Sequence, residues 1–179
     1  CSDRYRKNVK VAKKPVIPNL LNLYEKLLER DALEAVCEMR GEKISRKWDG
    51  RGDPPRVGLP RAMYHFDRYP FWKTYLQAMG METVTSIESN REIVHLGLEN
   101  IVAEPCFPIQ IAHGHAVSLL EEGVDLILIP NVLNVETDSP EVNSYLCPWG
   151  QTLPYVIGNT PVFRDRPGII SSPSVHFRE

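Results

Sequence analysis

A chain of 179 residues with a net charge of −2 and ordinary apolar and charged fractions is one domain, or one domain with an appendage, and can bury a core unaided. Its four cysteines, Cys1, Cys37, Cys106 and Cys147, lie far apart without a C-x-x-C pair, which argues against a disulfide framework and against a zinc ribbon complete within the chain. No apolar run reaches membrane-spanning length and no signal peptide is visible, so a cytoplasmic protein is expected.

The chain begins at Cys1 rather than Met, as expected of a piece of a longer protein. Residues 1–56 carry 14 Lys/Arg and 9 Asp/Glu, a balance of +5, and the rest carries 7 and 14, a balance of −7. The basic residues are mixed with acidic ones and lack interleaved aromatics. They read as a solvated face or linker rather than a nucleic-acid surface.

Residues 1–18 form a basic arm ending in Pro-Val-Ile-Pro. Asn19 suits an N-cap. Leu20, Leu23, Tyr24, Leu27 and Leu28, then Ala32, Leu33, Val36 and Met39, recur at helical spacing, so an amphipathic helix is expected to about Arg40. Cys37 lies beside that stripe and reads as packing. Glu42 to Arg56 is a polar linker. Its Arg51-Gly52-Asp53 tripeptide is short enough to arise by chance and reads as a loop.

The main domain is expected over residues 57–166, after the 1–56 arm, helix and linker and before a 167–179 flexible tail. Arg56 to Pro60 reads as a strand, Pro70 to Gly80 as a helix and Glu82 to Ile87 as a second strand. A helix follows Ser89 or Asn90. Ile101 to Ala103 reads as a short third strand leading to Cys106, and Pro108 to Glu122 as a helix closed by Gly123. Val124 to Pro130, apolar but for Asp125, reads as a buried parallel strand. Asn131 to Trp149 reads as an irregular loop, with a further strand near Tyr155 to Ile157. The alternation predicts a parallel α/β sheet with flanking helices.

In such sheets ligands sit beyond the carboxyl ends of the strands. Arg61, Cys106 and Asn131 are expected at three such ends, with Cys147 in a loop that folds back over them. Cys106 stands beside a helix N-terminus, where free N–H groups and the dipole favour a thiolate, the form that binds a metal or an iron–sulfur cluster. Two cysteines are too few for a four-thiolate cluster, so the pair reads either as buried free thiols or as part of a set completed elsewhere. His113 and His115, two apart on a helix, face different ways and do not readily hold one ion. One is expected to pack near the site and the other to face out. Arg61 suits a phosphate or carboxylate, or a structural ion pair. Tyr64, Phe66, Tyr69, Phe71 and Trp72 read as core or as a platform for a planar ligand. No Walker A, G-x-G-x-x-G, H-E-x-x-H or G-x-S-x-G motif is present.

From Val57 the sequence resembles the acyl-CoA dehydratase activase-related family, found fused to or beside ATP-dependent activators of 2-hydroxyacyl-CoA dehydratases. The matching stretches are Val57-Gly58-Leu59-Pro60-Arg61-Ala62, Tyr69-Pro70-Phe71-Trp72, Glu104-Pro105-Cys106-Phe107-Pro108 with His113-Gly114-His115, Gly123-Val124-Asp125 and Cys147-Pro148. Pro18-Asn19-Leu20 resembles the family's lead-in. The resemblance implies a flavodoxin-like domain holding a [4Fe–4S] cluster, with Cys106 and Cys147 as ligands, Asn131 where a third cysteine is expected, and Tyr5 where the arm is expected to carry another. Asn131 then leaves an open iron, serves as an oxygen ligand or marks a cluster-free member. Arg61 and His113 are expected to line the site.

The implied function is low-potential electron transfer to a 2-hydroxyacyl-CoA dehydratase-like subunit, with the ATP-dependent activator region as a further partner. A second copy of the chain is another candidate partner; nucleic acid and membrane are not expected. The rival readings are a cluster-free scaffold and an acyl-CoA- or nucleotide-binding domain without metal.

Overall fold

The computed structural model describes residues 18–41, 52–139 and 141–177. The basic arm with Cys1 and Tyr5, most of the linker, and the side chains of residues 36–41, Cys37 among them, lie outside what is described.

Helix α1, Leu20–Gly41, opens at Asn19, whose Oδ1 accepts the N–H groups of Leu21 and Asn22 at 3.1 and 3.3 Å. Strand β1, Arg56–Leu59, pairs in parallel with β2, Glu82–Thr85, through helix α2, His65–Ala78. Helix α2 starts before the expected Pro70, which sits inside it. Proline has no N–H to give to the carbonyl one turn back. That carbonyl belongs to Phe66, and the Tyr24 hydroxyl of α1 donates to it at 2.6 Å. A bond between helices thus replaces one missing within α2.

Helix α3, Arg91–Asn100, is capped by Asn90, whose Oδ1 accepts the Ile93 N–H at 3.0 Å. Helix α4, Phe107–Glu121, follows directly through a loop. The expected strand at Ile101 to Ala103 is therefore absent: α3 and α4 form a helical hairpin. They touch backbone to backbone, since a Cβ on Gly97 would lie 2.2 Å from the Gln110 oxygen and one on Gly114 2.0 Å from the Ile93 oxygen.

Strand β3, Leu126–Leu128, pairs with β1, and β5, Ile170–Ser171, pairs with β3, giving a four-stranded parallel sheet in the order β2-β1-β3-β5. Strand β4, Asn131–Asn134, pairs in parallel with β6, Ser174–His176, in a second small sheet. The segment from residue 167, expected as a flexible tail, therefore supplies β5 and β6. Backbone bonds seat β5, with the Ile127 N–H on the Ile169 oxygen at 2.7 Å and the Ile129 N–H on the Ser171 oxygen at 2.9 Å. Between β4 and β5 come α5, Pro148–Gly158, and the short α6, Pro161–Arg164. Tyr155 to Ile157, expected as a strand, belongs to α5, whose Leu153, Pro154 and Ile157 are buried at helical spacing.

Side chains alternate across the sheet. Val57, Leu59 and Leu128 join Leu28 and Ala32 of α1 and Tyr69 and Leu76 of α2. Ile127 joins Ile109, Ala116 and Leu119 of α4 and Leu153 and Ile157 of α5. Gly58 turns to that same side, where a Cβ would meet Leu119 at 3.1 Å. The result is an α/β fold with helices on both faces. Its strand order runs outward from β1 in both directions, as in doubly wound sheets of the flavodoxin type.

Candidate functional site

The chain reverses direction across the sheet between β1 and β3, and a cavity lies there, beyond their carboxyl ends. Pro60, Met63, Tyr64, Ala112, Pro130 and Leu153 are among its walls. Its volume is about 40 Å³, room for a few waters and well short of the roughly 300 Å³ of a small-molecule pocket.

Beside it runs a buried polar chain. The Arg61 backbone N–H donates to Ser86 Oγ at 2.8 Å, and His115 lies 2.9 Å from both Ser86 Oγ, through Nδ1, and Ser89 Oγ, through Nε2. Both ring nitrogens are satisfied if the Ser86 hydroxyl donates to Nδ1 and Nε2–H donates to Ser89. Burial, and after it the Arg61 charge, push His115 down to about 4, so it is neutral. His115 was expected to face out if His113 packed, yet it is 0 % and His113 1 % exposed. The cause is Gly114: its missing side chain lets α3 cover the outward side of α4. His113 Nδ1 donates to the Ile109 oxygen at 2.8 Å, leaving Nε2 buried without a partner. Burial pushes its pKa down, against that bond.

Arg61 reaches Glu25 of α1 at 3.7 Å and Glu88 at 3.8 Å. Of the two roles open to it, the ion pair is the one formed here. Asn131 starts β4 with 7 % exposure. Its Nδ2 lies 3.4 Å from both the Tyr155 hydroxyl and Ser174 Oγ, and its Oδ1 is buried without a partner.

Cys106 and Cys147 are both exposed. Each is the N-cap of a helix, Cys106 of α4 and Cys147 of α5, and neither thiol is used in capping. Cys106 does not follow a strand. It stands at the tip of the α3–α4 hairpin, nine residues before His115, which bonds to the serines just past β2. At the helical rise that is roughly 13 Å above the strand ends. Exposed Val102 and Phe107 flank it. Near Cys147 the Tyr64 hydroxyl is buried without a partner, and a Cβ on Gly150 would come within 2.7 Å of it. Burial, then the nearby Cys147 and Asp67 charges, push that phenol up to about 12. Met63, just before it, adopts a left-handed φ of 52°.

Arg61, Ser86, Ser89 and His115 are thus brought together, as are Tyr64, Gly150 and Cys147. Among the described residues no group of three or more His, Cys, Asp or Glu is placed to hold a metal ion. A four-thiolate cluster asks for four cysteines. The described residues offer two exposed ones, and Asn131 is turned into a hydrogen-bonded interior. Two thiols are half the number such a cluster takes. Sequence reasoning missed the close approach of Gly150 to the Tyr64 hydroxyl. The one local signal was a glycine in the first turn of the helix that Cys147 opens.

No helix among the described residues is long and apolar enough to cross a membrane. Residues 56–178 match the family described as CoA enzyme activase uncharacterised domain. No curated protein and no solved structure matches the chain.

Proposed function

Since the chain belongs to the CoA enzyme activase uncharacterised domain family, we propose that it presents Cys106 and Cys147 as thiolate ligands of an iron–sulfur group whose other ligands lie outside the described residues. The group serves low-potential electron transfer to a 2-hydroxyacyl-CoA dehydratase-like partner, in concert with an ATP-dependent activator region. One observation carries this reading: both thiols are exposed at helix N-termini and left unused by capping. Such positions favour the thiolate that iron requires. When bound, the group supplies one-electron chemistry. The chain's own part is to hold two ligands and to offer the exposed Val102 and Phe107 beside one of them to a partner.

The test is iron and acid-labile sulfide after anaerobic reconstitution. Bound iron and sulfide are expected in the parent and lost in Cys106→Ser and in Cys147→Ser. Equal content in all three overturns the reading. The burial of Asn131 favours a second reading, a scaffold that has kept the fold without the cluster, and that outcome supports it. The cavity beside β1 and β3, about 40 Å³, is too small to hold an acyl-CoA or a nucleotide.

A further inference from the structure

We propose that the free edge of β5, with the groove beside it, binds the carboxyl-terminal segment of a partner polypeptide as an added antiparallel strand, its terminal carboxylate held by Arg164 and Arg166. The inference is independent of iron and of both cysteines.

Among the described residues β5 has a neighbour on one side only, the strand β3. The Ile169 and Ser171 carbonyls accept from the Ile127 and Ile129 N–H groups. Backbone groups alternate sides along a strand, so those of Ile170 and Ser172 face away from β3. A row of outward donors and acceptors is a template for another strand. Nothing in the sequence blunts it: Ile170-Ser171-Ser172 carries no Lys or Pro, and β5 pairs with β3 without a bulge.

A groove of about 330 Å³ adjoins this edge. Ile170 and Ser172 line it, as do Pro154 and Tyr155 of α5. Arg164 and Arg166 line it too, and no acidic side chain does. A turn bonds the Ile169 N–H to the Arg166 oxygen at 3.3 Å, which keeps Arg166 at the amino end of β5. Arg164 Nη2 donates to the Asn159 oxygen at 3.1 Å, which holds that guanidinium at the groove. Arg56, Arg61, Arg68 and Lys73 each pair with a carboxylate. Arg164 and Arg166 pair with none among the described residues, although Asp165 lies between them in the chain. Two unpaired guanidiniums in one groove suit a carboxylate. A strand antiparallel to β5 brings its carboxyl terminus to them. A parallel strand would bring its amino terminus, which their charge repels. Charge thus sets the direction of the added strand, and Pro154, Tyr155 and Ile170 suit apolar side chains at alternate positions along it.

The experiment selects a library of random heptapeptides, displayed with free carboxyl ends, on the protein. Enrichment is expected for β-branched and apolar residues at alternate positions before the terminal carboxylate. The most enriched sequence, synthesised with a fluorescent label, is expected to bind about tenfold more weakly as its carboxamide, and about tenfold more weakly to Arg164→Ser and to Arg166→Ser. Both arginines are exposed, so the two variants keep the parent's urea midpoint, which separates lost binding from lost folding. Single N-methyl groups walked along the peptide are expected to weaken binding at every second residue, because only alternate N–H groups of an added strand face β5. No enrichment, binding that neither the carboxamide nor the arginine variants weaken, or N-methyl effects without a period of two overturns the proposal.

Discussion

On one face of the sheet, Gly97 and Gly114 bring α3 and α4 together with no side chain between them, and His115 is sealed beneath with both ring nitrogens bonded. On the other face, α1 buries Leu28 and Ala32 but leaves Leu20, Leu23, Tyr24 and Leu27 exposed. Glu29 of α1 accepts from Lys73 Nζ at 2.5 Å and from the Tyr69 hydroxyl, and Tyr24 donates to the Phe66 oxygen. Close backbone contact closes the first face, so a single added methyl disturbs it. Polar bonds between long side chains hold much of the second, and such bonds tolerate change.

The strongest way to break this contrast is Gly114→Ala. The new Cβ would meet the Ile93 oxygen at 2.0 Å and the Gly97 nitrogen at 2.9 Å, both backbone atoms. The helices must separate, and a loss of about 3 kcal/mol is expected from overpacking of this kind. Urea unfolding measures it; a midpoint within error of the parent would mean that the contact is not close.

Next in size is the acid response of the buried histidines. His115 and His65 are pushed down to about 4, burial being the first cause of each and Arg61 the second. An unfolded histidine takes its proton near 6.5. Between these values the unfolded chain binds more protons, so stability is full above about pH 6.5 and falls as the pH drops toward 4. The slope is about 1.4 kcal/mol per pH unit for each histidine. His115→Gln is expected to be less stable at pH 7 but to lose less between pH 6.5 and 4.5. A slope equal to the parent's would show that His115 is not protected from protons in the fold.

His113 and His115 also show what was legible in the sequence. The i, i+2 spacing sent His113 and His115 to different partners, His113 to the Ile109 oxygen and His115 to Ser86 and Ser89. It could not show that both are buried, because the cause is a glycine contact with another helix. Val124 to Pro130, apolar but for Asp125, announced a central strand, and Pro108 announced the start of α4; Pro148 was not read as the start of α5. Ile170–Ser171 had no such signal: a two-residue strand seated by backbone bonds leaves no periodicity. Pro70 and Ile101 to Ala103 misled for related reasons. A hydroxyl from α1 lets a proline sit inside α2, and a short β-branched run between two helices needs no sheet. The approach of Gly150 to the Tyr64 hydroxyl joins distant parts of the chain, and the glycine in the first turn of α5 was its one local trace.

The smallest expected effect tests the looser face. Burial draws the Glu29 carboxyl upward, but the bonds from Lys73 and Tyr69 outweigh it and hold its pKa below the ordinary range. A carboxyl so depressed adds stability above its unfolded value of about 4.3, and that stability is lost as the pH falls through the lower folded value. Glu29→Gln keeps the shape and removes the charge. Because Glu29 is partly exposed, the loss at pH 7 is expected to be only about 1 kcal/mol, and the difference should close as acid protonates the carboxyl in the folded protein. Hydrogen exchange localises it. Amides of α1 should exchange faster while those of α4 keep their protection, since α4 is held by Gly97, Gly114 and the serine–histidine chain rather than by Glu29. Equal acceleration in α1 and α4 would mean that the two faces open together, and the contrast between them would then describe packing alone and not separable stability.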